Sequence, residues 1–463
     1  RTKRLPEFCM DREVRVLRPF KNFEVLYLKR DKLPIFYVNL LYYKGSVHEL
    51  GYKRGIHNFV LKLLLEGPKG KSPVEFSMDL ERRGLRLKTR SGYVVSSFEI
   101  DGLSEYFSEG IKEAYEIIVN PAFRLEDFVR LKEQYRTAVL LGFQDPEFVV
   151  SYFSNLFFFQ GIEAFRALPD FGLIPEALKL DFEELKRYYE EIFKRAVLKL
   201  VVVSNLDVES KLQEISVLEN IQSESKDFSI KGDIGNFEKI YIVNMKIQQA
   251  HLKLMKPAIG RNHPDYQALR IANFLIGASD LSSRLMKKLR VEEGLTYSVT
   301  SVFSPGIPVN GEVLTANLSI QCETEKNNAR RAYDMILGEI RKVRSEGFTM
   351  DELSDAKAFF KGSIPLRVES YAQLLSMLTE EVLFGLPFFH WEEEIRDIER
   401  LKLEDVNKAA FDHFDFDKPF LLLVGDASRL EKDFKDFDIE VVDPWSYLGL
   451  KGISLFSLLK KIF

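Results

Sequence analysis

The same order of predicted helices and strands occurs twice along this chain. This repeat is the feature that most constrains the fold, because it predicts two copies of one structural unit. Each copy starts with two strands and two helices, continues with two more strands and a block of long helices, and closes with a strand of the buried type. The closing strands are VLKLVVV at 197–203 and FLLLV at 420–424. The match reaches individual residues, since IHNFV at 56–60 resembles IANFL at 271–275.

The chain of 463 residues exceeds the roughly 250 to 300 residues that one hydrophobic core supports. A polar stretch at 222–236, QSESKDFSIKGDIGN, has the composition of a linker. We therefore predict domains at 10–222 and 237–445, a linker at 223–236 and a C-terminal tail at 446–463. Because strand pairs are neighbours and helices come in blocks, each domain is predicted to be α+β, with a mostly antiparallel sheet and helices on one face.

Composition excludes several classes of function. The net charge is −4 and the lysines and arginines are scattered among acids, so nucleic acid is not an expected partner. Cys9 and Cys322 lie far apart, which indicates neither a disulfide framework nor a cysteine zinc site. No run of 18 apolar residues occurs, so a membrane span is not expected.

The two ends of the sequence carry weaker signals. Arg1 stands where a methionine would begin a complete chain, which favours removal of an N-terminal segment, either a signal peptide or a piece removed for expression. An exported, periplasmic location is therefore favoured over a cytoplasmic one. The tail 449–463 ends in the amphipathic stretch ISLFSLLKKIF, for which docking on its own domain or a partner is favoured over membrane contact.

The segment GIHNFVLKLLLEG at 55–67 resembles the zinc helix of the insulinase/pitrilysin metallopeptidase family, in which GLxHFLEHMLFKG carries an inverted H-x-x-E-H motif. The segments LLYYKGSVHELGYKRG before it and SPVEFSMDLERRGLRLKTRSGYVVSSFEI after it extend the resemblance. With the repeat, the resemblance covers most of residues 15–445. It implies that the two domains form half of a clamshell.

The motif requires two imidazoles on one helical face to hold zinc and a carboxylate between them to deprotonate water. Here Asn58, Leu61 and Lys62 occupy those positions. An amide is a weak zinc ligand, leucine accepts no proton, and an ammonium repels a dication. The third family ligand, a glutamate on a later helix, aligns with Ala138. We therefore expect this chain to bind no metal and no other cofactor of its own.

The histidines offer no obvious replacement site. His57 is predicted to be a surface or loop-facing residue. The other five show no H-x-x-H or H-x-x-x-H spacing, and each is predicted to be structural: His48, His251, His263, His390 and His413. A zinc site assembled from distant residues remains a less favoured alternative.

The segment SSRLMKKLRVEEGLTYSV at 282–299 resembles the family segment SSRLFxxLREExGLxYSV. In that family an arginine and a tyrosine of this segment reach toward the zinc-bound peptide, and the resemblance implies these roles for Arg284 and Tyr297. A guanidinium and a phenol can stabilise the oxyanion of a tetrahedral intermediate. The alternative is that Arg284 pairs with Glu292 or Glu293 while Tyr297 packs under the sheet.

In two-chain members of the family, one chain keeps the zinc helix and the other supplies the arginine and the tyrosine. The resemblance thus implies a non-catalytic subunit of a two-chain, bacterial-type processing peptidase. Its expected partner is a homologous chain with an intact H-x-x-E-H helix that carries the zinc, and its expected ligand is a peptide added along a sheet edge. The alternatives are a homodimeric peptide-holding protein and, less favoured, a peptidase with an unrecognised metal site.

Overall fold

The computed structural model describes residues 13–21, 23–223, 229–235, 237–309 and 311–449. The strands of the first half are Val14–Leu17 (β1), Phe23–Lys29 (β2), Ile35–Tyr42 (β3), Arg86–Arg90 (β4), Ser96–Leu103 (β5) and Leu198–Ser204 (β6). Its helices are Ile56–Leu64 (α1), Pro73–Arg82 (α2), Phe107–Val119 (α3), Leu125–Gly142 (α4), Pro146–Phe158 (α5), Glu163–Arg166 (α6), Ile174–Ala177 (α7), Phe182–Tyr188 (α8) and Leu212–Ile215 (α9).

The second half follows the same order. Its strands are Ile240–Asn244 (β7), Gln249–Pro257 (β8), Thr296–Ser304 (β9), Ile307–Val309 (β10), Glu312–Leu314 (β11), Asn317–Glu325 (β12), Phe420–Gly425 (β13) and Ile439–Val442 (β14). Its helices are Tyr266–Asn273 (α10), Arg284–Met286 (α11), Ala329–Glu346 (α12), Met350–Ser363 (α13), Tyr371–Phe384 (α14), His390–Arg400 (α15), Leu403–His413 (α16), Ala427–Asp433 (α17) and Pro444–Tyr447 (α18). Wider π-helical turns continue three helices, at Tyr189–Phe193, Phe274–Ala278 and Lys287–Glu292.

Each half contains one six-stranded sheet, and the two sheets have equivalent strand orders, β1-β2-β6-β3-β5-β4 and β14-β7-β13-β8-β12-β9. The predicted α+β repeat is confirmed. Most neighbours are antiparallel, but β2 runs parallel to β6, and β13 runs parallel to β7, so both sheets are mixed. The halves differ at one edge, because β1 is antiparallel to β2 whereas β14 is parallel to β7. The sequence reading missed these two edge strands.

One face of each sheet packs on the helices of its own half. In the second half, alternate residues of β8, β12 and β13 form one core with α10 and α12. The period of two along each strand explains this, because every second side chain points to the same face. Strands β4 and β9 form the second outer edge of their sheets, opposite β1 and β14.

The second face of each sheet meets a helix of the opposite half, so it is only partly free. Helix α14 packs on β3 and β6 through Leu374 and Leu378. Reciprocally, α5 packs on β13 and β8, and its Phe157 stacks on Tyr241 of the neighbouring β7 with ring centroids 4.2 Å apart. Burying one leucine or phenylalanine side chain completely contributes roughly 1.5 to 3 kcal/mol, so these contacts stabilise the packing of the two halves against each other.

The predicted linker falls partly outside the described residues, and its described part, 229–235, contains neither helix nor strand. The chain then returns to the first half at its end, where the Tyr447 hydroxyl lies 2.8 Å from that of Tyr152. The amphipathic part of the predicted tail, 450–463, lies outside the described residues. Among the residues that the structure describes, no helix has the length and apolar character needed to cross a bilayer.

Candidate functional site

Helix α1 carries the positions of the inverted zinc motif. Gly55 precedes it with φ of +115°, a conformation that glycine adopts without a Cβ clash. Asn58, at the position of the first histidine of the motif, is 7% exposed, and its Nδ2 donates to the carbonyl of Asp170 at 2.5 Å. The amide is therefore already committed to the backbone of another segment.

The segment 168–172 that covers Asn58 is docked firmly on α1. The Phe171 carbonyl accepts a hydrogen bond of 2.7 Å from the Tyr135 hydroxyl. Gly172 has φ of +70°, and a Cβ there would lie 2.4 Å from the Cα of Gly55, so only glycine fits. This backbone fills the space beside the first ligand position of the motif.

The other three positions of the motif supply no metal donor. Leu61 is 1% exposed and belongs to the hydrophobic core. Lys62 is exposed, yet partial desolvation by its neighbours lowers the pKa of its ammonium, which Asp170 opposes. Ala138 is exposed on α4. An amide, two aliphatic side chains and an ammonium do not fit zinc, which takes imidazole, thiolate or carboxylate ligands.

His57 is buried, and its prediction as a surface or loop-facing residue is wrong. It is 0% exposed, with Nδ1 2.9 Å from the Tyr188 hydroxyl and Nε2 2.7 Å from Oγ of Ser96. Because the Ser96 hydroxyl donates to the carbonyl of Lys44, it accepts from Nε2–H, and Nδ1 accepts from Tyr188. Burial, with His48 and Lys44 adding to it, lowers the pKa of His57 to about 3.

A buried carboxyl that the sequence reading missed holds the start of α1. Glu49 is 0% exposed and accepts the backbone N–H groups of Gly55 at 3.0 Å and His57 at 2.8 Å. These are donors that the first turn of a helix leaves unpaired, and they attract a carboxylate. Burial nevertheless raises the pKa of Glu49 to about 8, against the effect of both hydrogen bonds. Its one sequence signal is an acid shortly before the helix.

Arg284, at the start of α11, is engaged by the helix layer. Its Nε donates to Oε1 of Glu352 at 2.5 Å and its Nη2 to Oε2 at 2.9 Å, while its guanidinium lies 5.9 Å from the ring centroid of Phe348. The expected alternative partners, Glu292 and Glu293, instead pair with Lys288. Arg284 therefore ties α11 to the first turn of α13.

Tyr297 stands apart from Arg284, on the edge strand β9. Consecutive residues of β12 pair with Ser298 and Thr296, so Tyr297 is the extra residue of a β-bulge. It is 62% exposed, which contradicts the alternative that it packs under the sheet. Arg290, seven residues earlier, is also exposed, and its side chain makes no hydrogen bond or ion pair with another described residue. The sequence reading missed Arg290, although the same matched segment contains it.

Comparisons with known proteins agree with this geometry. The sequence profile described as "Peptidase M16 inactive domain" matches residues 179–360. The "Non-peptidase homolog YmxG" of Helicobacter pylori is 23% identical over 387 residues, covering 83% of this chain and 87% of the relative. The "Uncharacterized zinc protease YmxG" of Bacillus subtilis is 21% identical over 385 residues, covering 82% and 90%.

A crystal structure of a peptidase M16 inactive domain from Pseudomonas fluorescens has a TM-score of 0.77 at 22% identity, covering 89% of this chain and 98% of that one. These matches support an inactive member of the M16, or insulinase, peptidase family. On α1, Asn58, Leu61 and Lys62 stand where the family motif has its ligands and its base, which agrees with the description of the matched profile as inactive.

Proposed function

We propose that this M16 chain is the non-catalytic subunit of a two-chain zinc metallopeptidase. In this proposal it forms half of a peptide-binding cavity and supplies hydrogen-bond donors to a zinc site on a homologous partner chain. The observation that carries the proposal is the contrast between the two halves. The motif positions on α1 carry no zinc ligands, whereas Tyr297 stands exposed on a bulge of an outer strand.

Tyr297 and Arg290 are the donors that we propose for the partner's site. A phenol and a guanidinium stabilise the negative oxygen that develops when water attacks a peptide carbonyl. Arg290 replaces Arg284 in this role, because the guanidinium of Arg284 is already paired with Glu352. We assign Arg284 a positioning role, in which its ion pair holds the segment that carries Arg290 and Tyr297.

Two outer strands support the proposal that the ligand is a peptide. Within the described part of the chain, strands β4 and β9 each pair on one side only, so backbone donors and acceptors of both point away from the sheet. Beside β4, a cavity of about 620 Å³ opens between the sheet and α14. Arg86, Lys88 and Arg90 of β4 line it, and its walls offer room for the side chains of a bound strand.

Zinc enters this proposal on the partner only. The partner is a homologous chain with an intact H-x-x-E-H helix, and this chain completes its cavity as one half of a heterodimer. This chain then needs no metal ligands at the four positions of the degenerate motif, Asn58, Leu61, Lys62 and Ala138. The helices that carry these residues form walls of the cavity.

The test mixes the purified full chain with an M16 chain that keeps the zinc motif and follows cleavage of a fluorogenic peptide. We expect cleavage to rise with added chain. In Tyr297→Phe and Arg290→Ala, kcat of the complex should fall by roughly 10²- to 10³-fold, the usual effect of losing one oxyanion donor. Arg400→Ala is the matched control, because Arg400 is an exposed arginine on α15, where its side chain is 77% exposed.

Three results would contradict the proposal. The first is that the complex with Tyr297→Phe and the complex with Arg290→Ala each cleave the peptide as fast as the wild-type complex. The second is cleavage by this chain without a partner. The third is a stable homodimer that binds peptide while no mixed complex forms, which would favour the peptide-holding alternative.

A further inference from the structure

Three metal-ligating side chains from three different elements meet where α5 of the first half packs on the second sheet. They are Glu147, in the first turn of α5, His251 on β8 and Glu323 on β12. His251 and Glu323 are direct partners in the antiparallel pair of β8 and β12, so both side chains leave the same face of the sheet. One ligand atom of each residue lies within 4.8 Å of the other two.

His251 contributes a buried ring nitrogen that lacks a hydrogen-bond partner among the described residues. Its side chain is only 5% exposed, and this buried nitrogen is Nδ1. Buried polar atoms without a partner are uncommon because the lost hydration is not replaced. The nearest acidic atom is Oε1 of Glu147, 3.3 Å from Nδ1. The imidazole nitrogen thus points into the cluster, where a cation would satisfy it.

The charges around the cluster favour a cation. Gln321 lies between Glu147 and Lys253, accepting from Nζ of Lys253 at 3.3 Å and donating to Oε2 of Glu147 at 2.5 Å. The half-buried ammonium of Lys253 is an opposite charge near Glu147; desolvation lowers its pKa, and Glu147 opposes that change. The two carboxylates of the cluster thus face one ammonium, so a bound cation would balance the second carboxylate.

We infer that Glu147, His251 and Glu323 form a site for a divalent transition-metal ion, of the zinc or manganese class. One imidazole nitrogen and two carboxylate oxygens form a donor set that these ions accept, and water completes the shell. Metal–ligand bonds of about 2.0 to 2.2 Å place ligand atoms closer together than the present limit of 4.8 Å, so small side-chain rotations complete the site. The site is independent of the degenerate helix α1 and of the proposed peptidase partnership.

Such an ion would join the two halves of the chain. Glu147 belongs to the first half, whereas His251 and Glu323 belong to the second sheet. A bound ion would therefore strengthen the packing of α5 on that sheet, and metal binding should raise the stability of the folded chain.

A second cluster, His263, Asp265 and His413, also has ligand atoms within 4.8 Å of one another. Its groups are already paired, since Nε2 of His413 lies 2.7 Å from Oδ2 of Asp265, and Nδ1 of His263 accepts the backbone N–H of Asp265 at 3.1 Å. This cluster therefore lacks an orphaned ligand atom. It provides the matched control.

The test titrates the metal-depleted full chain with Zn²⁺ by calorimetry and with Co²⁺ by visible absorption. We expect one high-affinity equivalent and a rise in melting temperature on Zn²⁺ addition. Glu147→Gln, Glu323→Gln and His251→Gln should each weaken binding by at least about 10-fold, while His413→Gln leaves the site intact. The two glutamate variants keep the size of the side chain and do not alter the core, so they decide the result if His251→Gln fails to fold.

Two outcomes overturn the inference. One is the absence of a stoichiometric metal equivalent in the wild-type chain. The other is binding that survives Glu147→Gln and Glu323→Gln but is lost in His413→Gln, which would assign the metal to the second cluster. Because the readout is metal binding, neither outcome bears on whether Tyr297 supports a partner's zinc site.

Discussion

Replacing His57 by glutamine tests whether this histidine is a buried structural group. Glutamine retains hydrogen-bonding atoms but loses the ring, which lies 5.2 Å from the ring centroid of Phe193. The variant also disturbs the hydrogen bonds to Tyr188 and Ser96, each worth about 1 kcal/mol. Together with lost ring packing, we expect a loss of about 2 to 3 kcal/mol in the free energy of unfolding at pH 7.

The effect of His57→Gln should shrink as the pH falls. In the unfolded chain His57 takes up a proton near its ordinary pKa of 6.5, whereas in the folded chain burial lowers that pKa to about 3. The stabilisation from the neutral ring is therefore complete above pH 6.5 and is lost at about 1.4 kcal/mol per pH unit as the pH falls toward 3. The glutamine variant has no such loss. The difference between the two proteins should fall by about 2 kcal/mol between pH 7.5 and pH 5.

The measurement is scanning calorimetry combined with urea unfolding of both proteins across pH 5 to 7.5. Glu49 and His48 also have shifted pKa values, raised and lowered respectively, but both residues are present in the two proteins, so their contributions cancel in the difference. His263→Gln is the control, because His263 is exposed and its replacement should change stability by no more than about 0.5 kcal/mol. A wild-type-to-variant difference that stays constant over this pH range would refute the assignment of a buried, neutral His57.

Three further outcomes follow from the structure. Arg284→Ala should lower the free energy of unfolding by about 1 to 2 kcal/mol. This range allows for solvent screening, because the side chains of Arg284 and Glu352 are each 20% exposed. If calorimetry finds no change in stability, Arg284 does not have a positioning role. A triple variant with histidines at Asn58 and Lys62 and a glutamate at Leu61 should show no peptidase activity in a peptide-cleavage assay. Ala138 supplies no third ligand, and the new carboxylate at position 61 is buried. Measurable cleavage would contradict this expectation. In a Cys9→Ser variant, Cys322 should not react with a thiol reagent at neutral pH until urea is added. The reason is that burial raises the pKa of its thiol to about 11. Rapid labelling of the native chain would show that β12 opens.

Local pattern was sufficient for the architecture but not for the environment of single side chains. The repeat, the α+β class, strands β2, β3 and β6 of the first half and strands β7, β8 and β13 of the second follow from periods of two and 3.6 along the chain. The edge strands β1 and β14 were missed because they are only four residues each, too short for a periodic pattern. His57 was misjudged because its hydrogen-bond partners, Ser96 and Tyr188, lie 39 and 131 residues further along the chain.

The same distinction separates the two candidate sites. Tyr297 could be selected from the matched segment, but its exposure on a bulge and the pairing of Arg284 with Glu352, 68 residues away, are visible only in three dimensions. The spacing of histidines along the chain could not reveal the meeting of His251 with Glu147, because these residues come from opposite halves of the molecule.

Amino-acid identities alone establish that the motif positions on α1 carry neither the zinc ligands nor the base of the family motif, since folding cannot convert an amide, an isobutyl group or an ammonium into the missing groups. They also establish the duplicated architecture, because hydrophobic periodicity is a local property of the chain. The folded arrangement assigns burial, pairing and proximity, including the neutral state of His57, the ion pair of Arg284 and the cluster around His251. These properties depend on contacts between residues remote in sequence, whose distances are set only when the two sheets and their helices pack together.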